Sequence, residues 1–152
     1  MIDPAVRPAV GGDAGPLRVL EAEARAALVD ARGGQRWLEE HPEIGDRWGE
    51  AVAVRDVFVA VLEVEGAPAL DVGYLVLDVE GAVGRVDQVY VTPEARELGF
   101  GDALLEAATD AARSAGARLL EGQALPGDRD TKNLYERAGI TARLITVSRR
   151  LD

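Results

Sequence analysis

The sequence predicts a mixed α/β fold, an α+β-like sheet covered by helices, and three observations carry that expectation. The hydrophobic period switches between about 3.6 and 2 along the chain, in the order β-α-α-β-β-β-α-β-α-β. Three consecutive strand patterns are joined by short connections containing Glu65-Gly66 and Glu80-Gly81, as in an antiparallel meander. The chain has 152 residues, 47% of them hydrophobic, which suits one domain spanning 1–152 with a core of its own.

Each element has a local reason. Val6 to Val10 reads as an edge strand, because Pro8 has no N–H to donate to a ladder and so excludes a central position. Gly11-Gly12-Asp13 turns the chain, and Asp13 suits an N-cap. Leu17, Leu20, Ala24, Ala27, Leu28 and Ala31 recur at helical spacing until Gly33-Gly34 stops them. A shorter helix is expected over Gln35 to Glu40, ahead of Pro42. The meander strands are Val57 to Val64, Leu70 to Val79 and Val83 to Val91. A helix follows from about Gly101 to Ala115, carried by Leu104, Leu105, Ala108, Ala111 and Ala112. Then come a strand over Ala117 to Gln123, a helix over Asp130 to Ala138, and an alternating final strand over Thr141 to Arg149.

Composition excludes several function classes. There is no cysteine and one histidine, His41, so thiol nucleophiles, disulfide frameworks and Cys/His metal sites are unexpected, and no metal is predicted. The net charge of −10 disfavours nucleic acid and anionic membranes as partners. No apolar run approaches the length of a membrane span, and Met-Ile-Asp-Pro lacks the character of a signal peptide, so a cytoplasmic protein is expected. Sixteen arginines accompany a single lysine, Lys132; with the abundant Ala, Gly and Val, this suggests a GC-rich bacterial genome.

The sharpest signal runs from Val89 to Leu105. A strand leads through Thr92-Pro93 into a Gly-bearing turn, Arg96-Glu97-Leu98-Gly99-Phe100-Gly101, which opens directly onto a helix. A helix N-terminus presents unpaired N–H groups and partial positive charge. Gly99 and Gly101 permit close backbone approach, and Arg96 adds a cation. That combination suits a pyrophosphate. It is neither a Walker A loop nor a dinucleotide-binding G-x-G-x-x-G.

Here the chain resembles the GNAT superfamily of acyl-CoA-dependent N-acetyltransferases. Arg96 to Gly101 matches the family's [Gln/Arg]-x-x-Gly-x-[Gly/Ala] loop. Leu134-Tyr135-Glu136-Arg137-Ala138-Gly139-Ile140 looks like its Leu-Tyr-Glu-Lys-x-Gly-Phe segment. The resemblance implies a mostly antiparallel sheet splayed between strands four and five, with pantetheine entering the split. It implies acetyl-CoA as cosubstrate, contacted by Val89, Tyr90, Val91, Arg96, Glu97, Leu98, Gly99, Phe100, Gly101, Asp102, Asp128 and Asn133. The sequence departs from the family at Glu97, where Gly is common, and at Leu98, where a basic residue is common. Asp128 stands where the family often has Asn. A homodimer is also a family expectation.

Acetyl transfer to an amine needs a deprotonated amine, an N–H donor for the oxyanion and a proton for the leaving thiolate. The resemblance implies Tyr135 as the acid; a core tyrosine is the other reading. Asp87, placed by strand alternation on the face of Val89 and Val91 with Gln88 opposite, is the candidate for binding or deprotonating the amine; a solvent-facing carboxylate is the other reading. Trp37, His41 and Trp48 lie among five acids between residues 37 and 50, a lip that suits a small cationic amine or a solvated helix face with two anchoring Trp side chains. A CoA-binding regulatory domain with little turnover, or a protein Lys or N-terminal acetyltransferase, remains an alternative at this point.

Overall fold

A computed structural model describes residues 4–152 of the chain; the leader reading of Met1 to Asp3 lies outside the described residues. The order is β1 (Ala5–Pro8), α1 (Ala14–Leu28), α2 (Gly34–Glu40), α3 (Trp48–Val54), β2 (Asp56–Leu62), β3 (Leu70–Glu80), β4 (Val83–Val91), α4 (Phe100–Ser114), β5 (Leu119–Gly122) and α5 (Arg129–Arg137). The sheet runs β1-β2-β3-β4-β5. It is antiparallel except for the parallel β4–β5 pair.

The core lies on both faces of that sheet. On one face, Leu75, Leu77 and Val86 pack with Phe100, Leu104, Leu105, Ala108 and Ala112 of α4 and with Leu134 and Tyr135 of α5. On the other, Val57, Val59, Val61, Tyr74 and Val76 pack with Leu17 and Leu20 of α1 and with Trp48 and Ala51 of α3. The middle strand β3 is thus covered twice. That explains why Val72 to Leu77 is buried without interruption, since a strand with two dry faces has no polar side.

Two elements depart from the sequence reading. Residues 48–54 form α3, which the sequence reading omitted because Trp48, Ala51 and Val52 make too short a periodic run. The strand expected over Thr141 to Arg149 does not form; those residues carry no regular structure and are exposed throughout. A period-2 pattern makes a strand only where a neighbouring edge accepts it.

Asp13 also differs from its expected role. Its carboxylate does not cap α1; it accepts from the Val10 N–H (2.8 Å) and from both terminal nitrogens of Arg7 (2.7 and 2.8 Å). The Arg7 hydrogen bond holds the Asp13 carboxyl below the usual carboxylate range, against the opposing effect of burial. A depressed folded-state pKa contributes stability that is present above the unfolded value and lost as pH falls through the folded one. Acid titration of unfolding should therefore show a loss beginning near the ordinary Asp value of about 3.9 and continuing below it. Asp13→Asn should shrink that loss and cost roughly 1 kcal/mol at pH 7; a neutral-pH stability equal to wild type would remove the pair from this account.

Candidate active site

The parallel pairing of β4 and β5 covers only Val83↔Leu119 to Val86↔Gly122. Beyond it β4 continues to Val91 while the other chain leaves as a loop, so the sheet opens from Asp87 onward. The opening coincides with a β-bulge. Across from β3, Leu77 pairs with Val86 and Val76 with Gln88, which leaves Asp87 as the extra residue. A bulge breaks alternation locally and re-aims side chains. Val86 and Val89 face the α4–α5 side. Asp87 and Gln88 turn together toward the α1–α3 side, where Asp87 reaches Arg55 (3.1 Å) and Gln88 reaches Tyr74 (2.6 Å). The alternation that put Asp87 with Val89 and opposite Gln88 is thereby corrected.

A cleft fills this opening. Ala24, Arg25 and Leu28 of α1 and Trp37 of α2 form one wall, and Tyr74, Asp87, Gln88 and Val89 form the floor. Gln123 to Leu125, Asp128, Thr131 and Tyr135 close the other side. Its charged lining is Asp87, Asp128 and Arg25, and the Arg25 guanidinium is taken up by the carbonyls of His41 (2.6 Å) and Leu38 (3.3 Å).

Tyr135 is buried on α5 beside this cleft. Burial, and then the nearby carboxylates of Asp128 and Asp87, push its phenol above the usual tyrosine range, so it holds its proton at neutral pH. Its ring lies against Gly122, the last paired residue of β5. A Cβ at position 122 would lie 2.5 Å from the Tyr135 Cζ and 2.9 Å from its Cε1. Gly122→Ala must therefore displace the hydroxyl. Displacement of a reacting group by about 1 Å is enough to cost 10- to 100-fold in turnover. We expect Gly122→Ala to lose at least tenfold in kcat with the fold retained; wild-type kcat would show that the Tyr135 position is irrelevant.

Asp128 serves α5 as N-cap, accepting from the Thr131 N–H (3.2 Å) and hydroxyl (2.7 Å), while also bordering the cleft. Asn133 is exposed on α5. The Val91 carbonyl accepts from Arg96 Nε (3.0 Å), and the other end of Arg96 meets Asp130 (3.0 Å) and covers the Tyr90 ring. The Tyr90 hydroxyl donates to Glu23 of α1 (2.8 Å), and burial followed by that bond raises its pKa to about 12. The Tyr90 side chain thus belongs to the α1 side of the sheet.

Among the three aromatic candidates of the acidic lip, Trp37 lines the cleft. His41 stacks on Trp37 (centroids 4.3 Å apart) and sits outside the lining, its Nδ1 against the Trp37 carbonyl. Trp48 is 1% exposed and edge-on to Tyr74, so its reading as a substrate contact is corrected to a core anchor. The acids around them are largely paired: Glu40 with Arg36, Asp46 with Arg18, and Glu39 with Arg150.

Sequence reasoning missed the hub beneath the cleft. Glu21 of α1, 1% exposed, accepts from the Ile44 and Gly45 N–H groups (2.9 Å each), the Trp48 indole (3.2 Å) and the Gln88 amide (3.4 Å). It ties the α2–α3 connection to β4. A lone Glu among the apolar positions of α1 was the available signal, since Glu21 follows Leu20 and Leu17 at core spacing.

The loop from Thr92 to Gly99 approaches α4 through a short 3₁₀ turn, Pro93–Ala95. Glu97 and Gly99 both have left-handed backbones (φ 67° and 90°). The first is the one non-glycine residue in that region among the described residues, where a Cβ costs about 1 kcal/mol or more. Gly101 is not held by backbone strain; a Cβ there would meet the Leu134 side chain at 3.0 Å, so its smallness lets α5 pack on α4. Asp102 pairs with Arg137 (3.2 Å), and Phe100 is buried in the core. Glu97 and Leu98 are exposed. Glu97→Gly should raise stability by about 1 kcal/mol and tighten CoA binding, since it removes an anionic side chain from a helix entrance that favours anions. Calorimetry with CoA showing weaker binding would refute that reading.

The sheet thus parts between two parallel strands, with a glycine-led helix entrance beside the gap. The family model described as an acetyltransferase (GNAT) domain matches residues 53–139, more than half of the chain, and the chain belongs to that family. Its enzyme class is acetyl-CoA-dependent N-acetyltransferase, with acetyl-CoA as cosubstrate. Among solved structures, the chain is similar to an aminoglycoside N-acetyltransferase, AAC(6')-Iy, in complex with CoA; identity is 16%, TM-score 0.65, covering 99% of this chain and 97% of that one. It is similar to a ribosomal-protein-alanine N-acetyltransferase from Brucella melitensis biovar Abortus 2308, at 21% identity and TM-score 0.63, covering 100% and 99%. It is also similar to the BH1408 protein of Bacillus halodurans, at 17% identity and TM-score 0.75, covering 97% and 99%. At such identities the likeness is one of fold. No curated protein matches the sequence significantly.

Proposed function

We propose that the chain transfers an acetyl group from acetyl-CoA to a primary amine of a small molecule, by direct attack in a ternary complex with Tyr135 as general acid. The observation that carries this reading is the cleft at the β4–β5 opening, where Asp87, Asp128 and Tyr135 converge. Arg55 holds one oxygen of Asp87 and is shared with Asp78, and Arg25 is engaged by main-chain carbonyls, so the remaining Asp87 oxygen and the Asp128 carboxylate favour an ammonium or amine over an anion. The α1–α2 wall and Trp37 narrow the approach, which suits a small acceptor.

The residues divide the work as follows. β4 beyond Val86 lacks a strand on its β5 side, so its main chain there can bond a peptide-like pantetheine arm. The α4 entrance from Glu97 to Asp102 offers N–H groups to a pyrophosphate. The Asp87 carboxylate, one oxygen held by Arg55, orients the amine and takes its proton directly or through water. The amine nitrogen then attacks the thioester carbonyl, and the oxyanion takes an N–H from β4 near the bulge. As the C–S bond breaks, Tyr135 gives its proton to sulfur; the second proton lost by the nitrogen returns to the phenolate through solvent, and the proton on Asp87 leaves to bulk water. Burial that raises the phenol pKa raises a thiol's as well, because both anions lose hydration, so the transfer remains matched.

The test is calorimetry with acetyl-CoA and CoA, followed by thiol release over a panel of small amines, peptides and folded proteins. Release with small amines is the expected result. Binding without release would point to a CoA-binding regulatory domain, and release only with polypeptides to a protein acetyltransferase; either outcome contradicts the proposal.

A further inference from the structure

Two charged side chains are buried among the described residues, Asp13 and Glu21. Asp13 has a cationic partner in Arg7; Glu21 does not. Its four partners, the Ile44 and Gly45 N–H groups, the Trp48 indole and the Gln88 amide, are neutral donors. Arg25, one turn further along α1, donates instead to the carbonyls of Leu38 and His41. Holding the α2–α3 connection asks only for an acceptor, which a neutral side chain supplies at lower desolvation cost. A full charge is more than that joint requires.

The fourth partner leads to the cleft. The Gln88 amide turns its nitrogen to Glu21 (3.4 Å) and its oxygen to the Tyr74 hydroxyl (2.6 Å). An amide oxygen only accepts, so the Tyr74 hydroxyl is the donor of that bond. Reversing the amide would set its oxygen against the carboxylate. Glu21 thus fixes the amide, and the amide fixes the hydroxyl. Tyr74 and Gln88 line the cleft together with Asp87. With its hydrogen committed, the Tyr74 oxygen has only lone pairs left for a ligand. Burial, then the Glu21 and Asp87 charges, push the Tyr74 phenol far above the usual tyrosine range, so the hydrogen stays and the Glu21 charge is felt at the cleft floor.

We infer that Glu21 is a specificity-determining residue for the acceptor, acting through Gln88 to present the Tyr74 oxygen as a hydrogen-bond acceptor, so that a primary amine docks as its ammonium ion. An ammonium has three N–H groups and no lone pair. The Tyr74 oxygen and the oxygen of Asp87 left free by Arg55 suit it, and the carboxylate beneath them adds attraction from within the low-dielectric interior. Glu21 itself is a positioning residue. The inference rests on the proposed acetyl transfer and adds to it the group that selects the protonated acceptor, before Asp87 takes the proton.

Steady-state kinetics on the full chain test this, with the small primary amine that the wild type acetylates best. Glu21→Gln keeps the shape but turns an amide toward Gln88, so the link to Tyr74 is broken. Its amine KM should rise about tenfold or more, as for a lost hydrogen bond to a charged group. Its kcat at saturation should stay within about threefold and its acetyl-CoA KM within about twofold, because the lost interaction serves binding alone. Gln88→Met cuts the same link from the other side and should raise the amine KM likewise. Trp48→Phe removes one donor from Glu21 and leaves the link whole; its urea midpoint should fall while its amine KM stays within about threefold. Circular dichroism checks folding, and if Glu21→Gln does not fold, Gln88→Met decides. An unmoved amine KM in either variant, or an equal rise in Trp48→Phe, would overturn the inference while acetyl transfer stands. A wild type that releases thiol with no amine would fail the acetyl-transfer reading itself, and this inference with it.

Discussion

Tyr135→Phe should lower kcat by at least a hundredfold while CoA binds within about threefold of wild type. The change removes one oxygen and leaves the ring, so the packing of α5 against Gly122 and the core is kept. What disappears is the proton for the departing thiolate. General acid catalysis of this kind is worth roughly 10²–10⁴-fold, so the loss should appear in kcat and kcat/KM together, as for an interaction made only in the transition state. Because burial and the carboxylates of Asp128 and Asp87 push the phenol upward, wild-type activity should show no loss attributable to this group up to the ordinary tyrosine value of about 10. Steady-state kinetics beside calorimetry decide the matter. Unchanged kcat would remove Tyr135 from the chemistry and leave it a core tyrosine.

The second large effect is on stability. Glu21→Leu should lower the unfolding free energy by roughly 3–5 kcal/mol, a sizeable part of the 5–15 kcal/mol typical of a domain. The volume of the side chain is nearly kept, so the cost comes from the donors it abandons. The N–H groups of Ile44 and Gly45 and the Trp48 indole all point at this carboxylate inside the protein, and each buried donor without an acceptor costs about 1–3 kcal/mol. Glu21→Gln should cost less, because one oxygen still serves Gly45 and Trp48 while the new amide faces the donors of Ile44 and Gln88. Urea denaturation of the two variants should rank them in that order. A loss below about 1 kcal/mol for the Leu variant would mean that the α2–α3 connection is held by packing alone.

How far the sequence could be read differs between elements for physical reasons. The meander was legible because a strand with Gly-bearing turns repeats a local rule three times. Its third strand was placed over the observed Val83–Val91. The glycine-led entrance to α4 was legible because it needs only neighbours in sequence. The bulge at Asp87 was not, since it depends on how β4 meets β3, and one inserted residue there reverses the face of Asp87 and the residues before it relative to Val89 and Val91. Trp48 was misread for a similar reason: a Trp among acids looks like a lip until Glu21, twenty-seven positions earlier, takes its indole N–H. Likewise, the pattern at 141–149 is strand-like, but alternation in sequence does not say whether the segment reaches the open edge of β5, and here it does not pair there. The importance of Gly122 has no local signature, because only its contact with Tyr135 across the α5 packing reveals it.

The account depends on CoA entering the β4–β5 opening. Crystals of the protein grown with CoA test this directly. The account predicts density with the pyrophosphate against the main chain of Glu97 to Asp102, the pantetheine along β4 past Val89, and the sulfur directed at the Tyr135 hydroxyl. CoA bound elsewhere, with that opening closed, would contradict it.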